Sequence, residues 1–169
     1  MGELYDTGVT FRPAGRFLGM VSRRTPGHYS PVTLHLVGPA DWTEVPALLC
    51  YDAADPFAVR IAFGDVAEGD EADDGITWLL SRELLQAGLD RPAGDGDVRL
   101  WPARGAGDGL YLHLRAPSGE ALFEVSRASV AAFLRGTESL VPPGEESARL
   151  ALDAELHVLL SGGGEPPGR

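Results

Sequence analysis

Hydrophobic residues in this chain recur mostly at every second position. In Val32-Thr-Leu-His-Leu-Val37, Leu34 and Leu36 share one face while Thr33 and His35 share the other. Such alternation marks a strand with one face buried and one wet. Val59, Ile61 and Phe63 repeat it, with Arg60 and Ala62 opposite, as do Ile76, Trp78 and Leu80. Val98 and Leu100 form another such pair, with Arg99 and Trp101 on the far face, and Leu110 to Arg115 alternates throughout. Between Leu48–Tyr51 and Ala58–Phe63 stands Asp52-Ala-Ala-Asp-Pro56. Pro56 fixes its own φ and biases Asp55 away from helix, so the chain is predicted to turn there into a hairpin. Ala116-Pro-Ser-Gly119, with Pro second and Gly fourth, predicts a second hairpin leading to Ala121–Val125.

Three segments switch to helical spacing. Ser81 to Gly88 has a capping Ser, Glu83 in the positive first turn and Gly88 to close the helix at C′. Ser126 caps a second helix whose apolar face is Val130, Phe133 and Leu134; Gly136 interrupts or ends it, with one more turn available beyond. After the break at Pro142-Pro-Gly144, a third helix is expected over about 145–160, with a stripe of Leu152, Leu156, Leu159 and Leu160. Strands, a hairpin and a Ser-capped helix thus occur twice, over roughly 32–88 and 97–140. Two antiparallel sheets packed on each other, with helices covering the ends, would bury all these one-sided strands, an α+β architecture.

A chain of 169 residues fits one such domain, expected over 31–160, between an N-terminal mobile tail at 1–30 and a Gly/Pro tail at 161–169. Met20 is an alternative start. The acidic segment 65–75 lacks the spacing of a calcium loop and reads as a solvated loop. A net charge of −11 argues against nucleic acid as a partner, since phosphate contacts supply most of that affinity. All 14 basic residues are Arg, and Arg12, Arg16, Arg23 and Arg24 leave the tail open to docking on an acidic partner. Cys50 is the single cysteine, so neither an internal disulfide nor a cysteine zinc site is expected, and its apolar neighbours predict burial. No stretch has the length of a membrane span or the pattern of a signal peptide, which predicts a cytoplasmic protein.

Candidate chemistry is sparse. No nucleophile elbow, phosphate-binding loop or His-Glu-x-x-His pair is present, so no catalytic residue, cofactor or metal is expected. His35 and His113 occupy the polar faces of two strands and could approach each other; ordinary surface histidines are the favoured reading. Asp52 and Asp55 are better explained as turn-forming residues than as an acid/base pair. Trp78 belongs with the core. Trp101, on the face of Arg99, is open to three roles: anchoring a protein interface, stacking on bases, or lying under a helix. Trp42, after Pro39-Ala-Asp, is expected at a rim. Trp42, Arg99 and Trp101 are therefore the partner-binding candidates.

Five segments in register also resemble one family. They are Tyr51-Asp-Ala-Ala-Asp-Pro-Phe-Ala-Val-Arg60, Trp78-Leu-Leu-Ser-Arg-Glu-Leu-Leu-Gln-Ala-Gly-Leu89, Gly96-Asp-Val-Arg-Leu-Trp-Pro102, Ser118-Gly-Glu-Ala-Leu122 and Leu140-Val-Pro-Pro-Gly-Glu145. Over about 32–160 the chain is similar to the SsgA-like proteins, sporulation and cell-division regulators of actinomycetes. That resemblance implies a Whirly-like fold of two antiparallel sheets packed roughly perpendicular, with short helices and a C-terminal helix, and assembly as a homo-oligomer, often a trimer. It implies a non-enzymatic adaptor that positions septation or cell-wall machinery through contacts with FtsZ, other division proteins or SsgA-like paralogues, concentrated at septa. The Whirly-like fold brings an alternative, single-stranded nucleic-acid binding. Set against that resemblance, two departures are expected: a segment before residue 30 longer than the family's usual start, and a 65–75 loop longer and more acidic than the family pattern implies.

Overall fold

In the computed structural model, which describes residues 27–64, 76–105 and 107–150, the chain forms antiparallel strands followed twice by a helix. In order these are β1 (Gly27–Val37), β2 (Trp42–Asp52), β3 (Ala58–Phe63), β4 (Thr77–Ser81), α1 (Arg82–Gly88), β5 (Val98–Pro102), β6 (Gly109–Ala116), β7 (Gly119–Ser126) and α2 (Arg127–Leu140). A further helix starts at Glu146 and is described to Leu150. The leucine stripe expected at 152–160, the acidic 65–75 loop and the Arg-bearing segment before residue 27 lie outside the described residues.

Hydrogen bonding joins the strands into one seven-stranded sheet, ordered β4-β3-β2-β1-β7-β6-β5. This corrects the expectation of two separate sheets. The cause is the length of β1, which runs 11 residues and pairs with β2 along all of them. Its far end also pairs with β7, His35 opposite Glu124 and Leu36 opposite Phe123. Gly27 to Ser30, expected in the tail, are the first residues of this strand, held by pairing with Leu49–Asp52. Likewise β2 begins at Trp42 rather than Leu48, because residues 42–46 pair with Thr33–Val37. The result is a mostly antiparallel half-barrel around one apolar core. Leu34, Leu49 and Ile61 from the first half meet Leu100, Leu112 and Val125 from the second around a shared interior gap.

Local chemistry shapes the turns and caps as expected. At the β2–β3 turn the Ala54 N–H donates to Asp52 Oδ1 at 2.8 Å, the side-chain turn that an Asp favours. At the β6–β7 turn Ala116 pairs with Gly119. Ser81 accepts from the Leu84 N–H at 3.2 Å, and Ser126 from the Ser129 N–H at 3.1 Å. Each hydroxyl thus satisfies one of the amides that a helix start leaves unpaired.

The two helical glycines serve a purpose other than capping. Gly88 is the last helical residue, with Leu89 as the C-cap, so it does not close α1 in a left-handed turn. A Cβ on it would stand 2.6 Å from Leu100 Cβ. Helix α2 continues through Gly136, where a Cβ would fall 2.2 Å from His28 Nε2, and the His28 ring stacks on Phe133 with centroids 5.2 Å apart. Glycine is needed at both places for close approach. The packing is reciprocal: α1 of the first half lies on β5 of the second, and α2 of the second lies on β1 of the first. Gln86 Nε2 donates to Glu138 Oε1 at 3.1 Å and ties the helices to each other.

Candidate partner-binding face

Residues directly opposite in an antiparallel ladder share a face, so the register maps the outer surface of the sheet. Glu44 lies opposite His35, His35 opposite Glu124, Glu124 opposite Tyr111, and Tyr111 opposite Trp101. This row crosses five strands on the side away from the core. Trp42 is two residues from Glu44 on the same face, 53% exposed, with its ring centroid 6.4 Å from that of His35. Trp101 is half-buried against Tyr111 at 5.9 Å and meets the edge of His113 at 6.5 Å. Arg99 lies opposite His113 and donates from Nη2 to the Asp95 carbonyl at 3.3 Å. The three candidates therefore share the outer face. Arg99 and Trp101 belong to one cluster on β5–β6, and Trp42 stands apart from it on β2, beyond β1 and β7.

Ionic groups thread through the aromatic ones. His113 Nε2 lies 3.2 Å from Glu120 Oε2, and Arg115 Nη2 lies 3.6 Å from the same oxygen. His35 has its own carboxylate, Glu44, at 3.8 Å. The two histidines thus keep separate partners, with β7 between their strands. Among the described residues no three His, Cys, Asp or Glu side chains are grouped so as to hold a metal. The Tyr111 hydroxyl is pushed up from its ordinary pKa by desolvation and then by the Glu124 carboxylate beside it, so it stays protonated and able to donate.

Toward β4 the outer face changes character. Leu79 lies opposite Arg60, Arg60 opposite Cys50, and Cys50 opposite Tyr29. Leu48 and Ala62 form the next pair in. Leu79 and Tyr29 are both exposed. Cys50 is buried, as its apolar neighbours predict, and burial raises its thiol pKa against the opposing pull of Arg60. That shift leaves little thiolate at neutral pH, which suits packing better than nucleophilic work.

Trp78 packs against the core from β4, as expected. One polar centre had no sequence signal of its own. Arg82, the first residue of α1, is 2% exposed. Its Nη2 donates to the Val141 carbonyl at 2.8 Å, its Nη1 donates to Tyr51 Oη at 3.2 Å, and Nη1 stands 3.5 Å from Glu146 Oε1. The guanidinium carbon lies over the Tyr51 ring, 5.3 Å from its centroid. Tyr51 Oη in turn donates to the Pro56 carbonyl at 3.3 Å. Burial raises the Tyr51 pKa while Arg82 pulls it down, so the phenol keeps its proton. The arginine ties together the β2–β3 turn, the start of α1, the end of α2 and the first residue of the next helix. A buried charge held by this many partners is a structural clasp.

Known proteins are similar to this chain in sequence and in fold. Residues 45–146 match the family model described as Streptomyces sporulation and cell division protein, SsgA. That range takes in the Arg82 clasp and the whole β5–β7 cluster. The chain is 48% identical over 122 residues to the sporulation-specific cell division protein SsgB of Frankia casuarinae, covering 72% of this chain and 82% of that one. It is 45% identical over 117 residues to SsgB of Streptomyces coelicolor, covering 68% and 82%. Among solved structures, an SsgA-like sporulation-specific cell division protein from Thermobifida fusca superposes with a TM-score of 0.68 at 35% identity, covering 80% of this chain and 97% of that one. A second, from work on SsgB mutations that correlate with longitudinal cell division during sporulation of Streptomyces coelicolor, superposes with a TM-score of 0.65 at 38% identity, covering 76% and 98%. The five motifs, the half-barrel and these matches agree, and the chain belongs to the SsgA family of sporulation and cell-division proteins.

Proposed function

We propose that this protein is a non-enzymatic adaptor of sporulation-specific cell division, which positions septum-site or cell-wall machinery through contacts on the outer face of its sheet. The observation that carries this reading is the aromatic surface of that face, Trp42 beside His35 and Trp101 beside Tyr111 and His113. Tryptophan, tyrosine and arginine are the side chains that most often dominate binding energy at protein interfaces. The partners in this reading are FtsZ, other division or wall proteins, or SsgA-like paralogues, and the adaptor works as a homo-oligomer, a trimer by family resemblance. Kinship with the Whirly fold, cytoplasmic residence and enrichment at septa belong to the same proposal. Among the described residues no helix is long and apolar enough to cross a membrane.

The test is capture of purified FtsZ and of division and wall-synthesis proteins on the immobilised full chain. Trp101→Ala and Trp42→Ala should each weaken capture about tenfold, equivalent to about 1.4 kcal/mol, without changing the circular dichroism. Failure to capture any of these proteins, together with a monomeric mass by light scattering, removes the adaptor reading.

The β5–β6 cluster also supports a second reading. Rings flanked by Arg99 and Arg115 are the ingredients of a base-stacking platform. Glu120 and Glu124 on the same face oppose it, as does the net charge of −11. A mobility shift with oligodeoxythymidine at low salt decides, because low salt favours phosphate contacts.

A further inference from the structure

The two outer edges of the sheet are finished differently. At β5 the neighbouring loop pairs with the middle of the edge: the Ala93 N–H donates to the Leu100 carbonyl at 2.8 Å, and the Leu100 N–H returns a bond to Ala93 at 2.9 Å. Pro102 ends that strand. At β4 the ladder to β3 includes the Phe63 N–H donating to the Ile76 carbonyl at 2.9 Å and the Arg82 N–H donating to the Phe57 carbonyl at 2.8 Å. Successive residues of a strand turn their main-chain groups to opposite sides, so Ile76, Trp78, Leu80 and Arg82 face β3. Thr77 and Leu79 must face away from it. Among the described residues no backbone group outside β3 pairs with either. The strand reads Thr77-Trp-Leu-Leu-Ser81, with none of the charges or prolines that usually blunt an edge.

Side chains at this edge suit a ligand. Leu79 is 65% exposed, and Phe57, whose carbonyl receives the Arg82 N–H at the end of β4, is also exposed. Arg60, opposite Leu79 on β3, makes no ion pair among the described residues in a protein of net charge −11.

We infer that the open edge of β4 receives an extended peptide from a partner protein as an eighth strand, with apolar side chains over Leu79 and an acidic side chain set against Arg60. Unpaired N–H and C=O groups in a row specify extended main chain as their complement. Adding a strand next to β4 puts it roughly 10 Å from β3, a gap that an arginine and a glutamate span together. A second copy of this chain is a poorer complement: its own β4 edge brings another Arg60 on β3 and no carboxylate on the outer face of either strand, and its β5 edge is already paired at Leu100. The inference deepens the adaptor reading, on which it rests only in taking the peptide to belong to another protein.

The probe is a phage-displayed library of random 12-residue peptides panned on the immobilised full chain. Enriched peptides should carry an apolar residue and an Asp or Glu two positions apart, because the groups that meet Leu79 and Arg60 must share the outer face, and binding them should slow amide exchange at Thr77 and Leu79 at least tenfold. Leu79→Pro removes only an outward N–H, a site where an edge strand tolerates proline, and should weaken binding at least tenfold with the melting temperature nearly unchanged. Arg60→Glu should switch the selection to peptides bearing Lys or Arg, whereas Trp101→Ala should leave it unaltered. Peptides that bind Leu79→Pro equally well, no enrichment at all, or unchanged exchange at Thr77 and Leu79 would overturn the inference. So would a change in oligomeric state in free Leu79→Pro, which would put a second copy on the edge. Capture of FtsZ without β4-dependent peptides overturns this inference and leaves the adaptor role intact; β4-dependent peptides without capture of any division or wall protein do the reverse.

Discussion

The first half of the sheet, β1–β4, and the second, β5–β7, each end in a helix that opens with Ser-Arg. At both, the serine caps the helix in the same way. The arginines then part. Arg82 is buried in the clasp with Tyr51, Val141 and Glu146, whereas Arg127 reaches from an exposed surface to Asp90 at 2.7 Å. The difference arises because the β2–β3 turn and the chain after α2 close over the start of α1. At the start of α2 the neighbour is the exposed Asp108, which accepts from Ser126 Oγ at 2.7 Å and from the Ala128 N–H at 3.2 Å. One dipeptide in one local role thus supplies a structural centre in one half and a surface group in the other. Neighbours distant in sequence decide which.

Substitutions in both halves test that contrast. Arg82→Ala leaves the Val141 carbonyl and the Tyr51 hydroxyl without their donor and Glu146 without its counter-charge. It should cost about 3–5 kcal/mol, lowering the melting temperature by roughly 10 °C in a thermal scan. A loss near that of an ordinary surface change would mean that the clasp is dispensable.

The helix crossings come next. Gly88→Ala drives a methyl against the Cβ of Leu100 and should cost about 1–3 kcal/mol. Gly136→Ala meets the His28 ring first, a side chain that can rotate, so its cost should be smaller. In a His28→Ala background the same Gly136→Ala change should stabilise by about 0.5–1 kcal/mol, because alanine then keeps its helical advantage without the clash. Chemical denaturation of the four variants gives the sign.

The caps are worth less. Ser81→Ala should cost about 1 kcal/mol, and Ser126→Ala somewhat more, since its hydroxyl also engages Asp108. Equal losses would show that the Asp108 bond adds nothing. Smallest of all is Arg127→Ala, at about 0.2–1 kcal/mol in low salt. That effect should fade as ionic strength rises, whereas the Arg82 effect should persist, because screening reaches exposed pairs far more than buried ones.

The halves also differ on their outer faces, apolar near β4 and aromatic-ionic on β5–β6. Part of this was legible in the chain. Alternation in Val98-Arg-Leu-Trp101 put Arg99 and Trp101 outward together, and the register adds Tyr111 and His113 to them. Trp42 was harder to place, because its strand has no clean alternation and is extended there only by pairing with β1. Arg82 was not legible. It stands three residues before Leu85 on its helix as Arg127 stands three before Val130, and that spacing does not distinguish the buried arginine from the exposed one. The continuous sheet was likewise beyond the pattern, since a period of two shows which face is buried and not which strand lies alongside.

By itself the sequence determined the central parts of the strands, the turns at Asp52–Pro56 and Ala116–Gly119, the serine caps and the inward residues. Each of these follows from the conformational preference or solvation of residues close together in the chain. Tertiary structure alone decided that β1 fuses the two halves, that each helix crosses to the other half, that Arg82 is enclosed, and that the outer edge of β5 is bridged at Leu100 while, among the described residues, that of β4 is not. These outcomes depend on which distant segments meet, because the free energy of burying a group or pairing a strand edge is set by the partner that arrives.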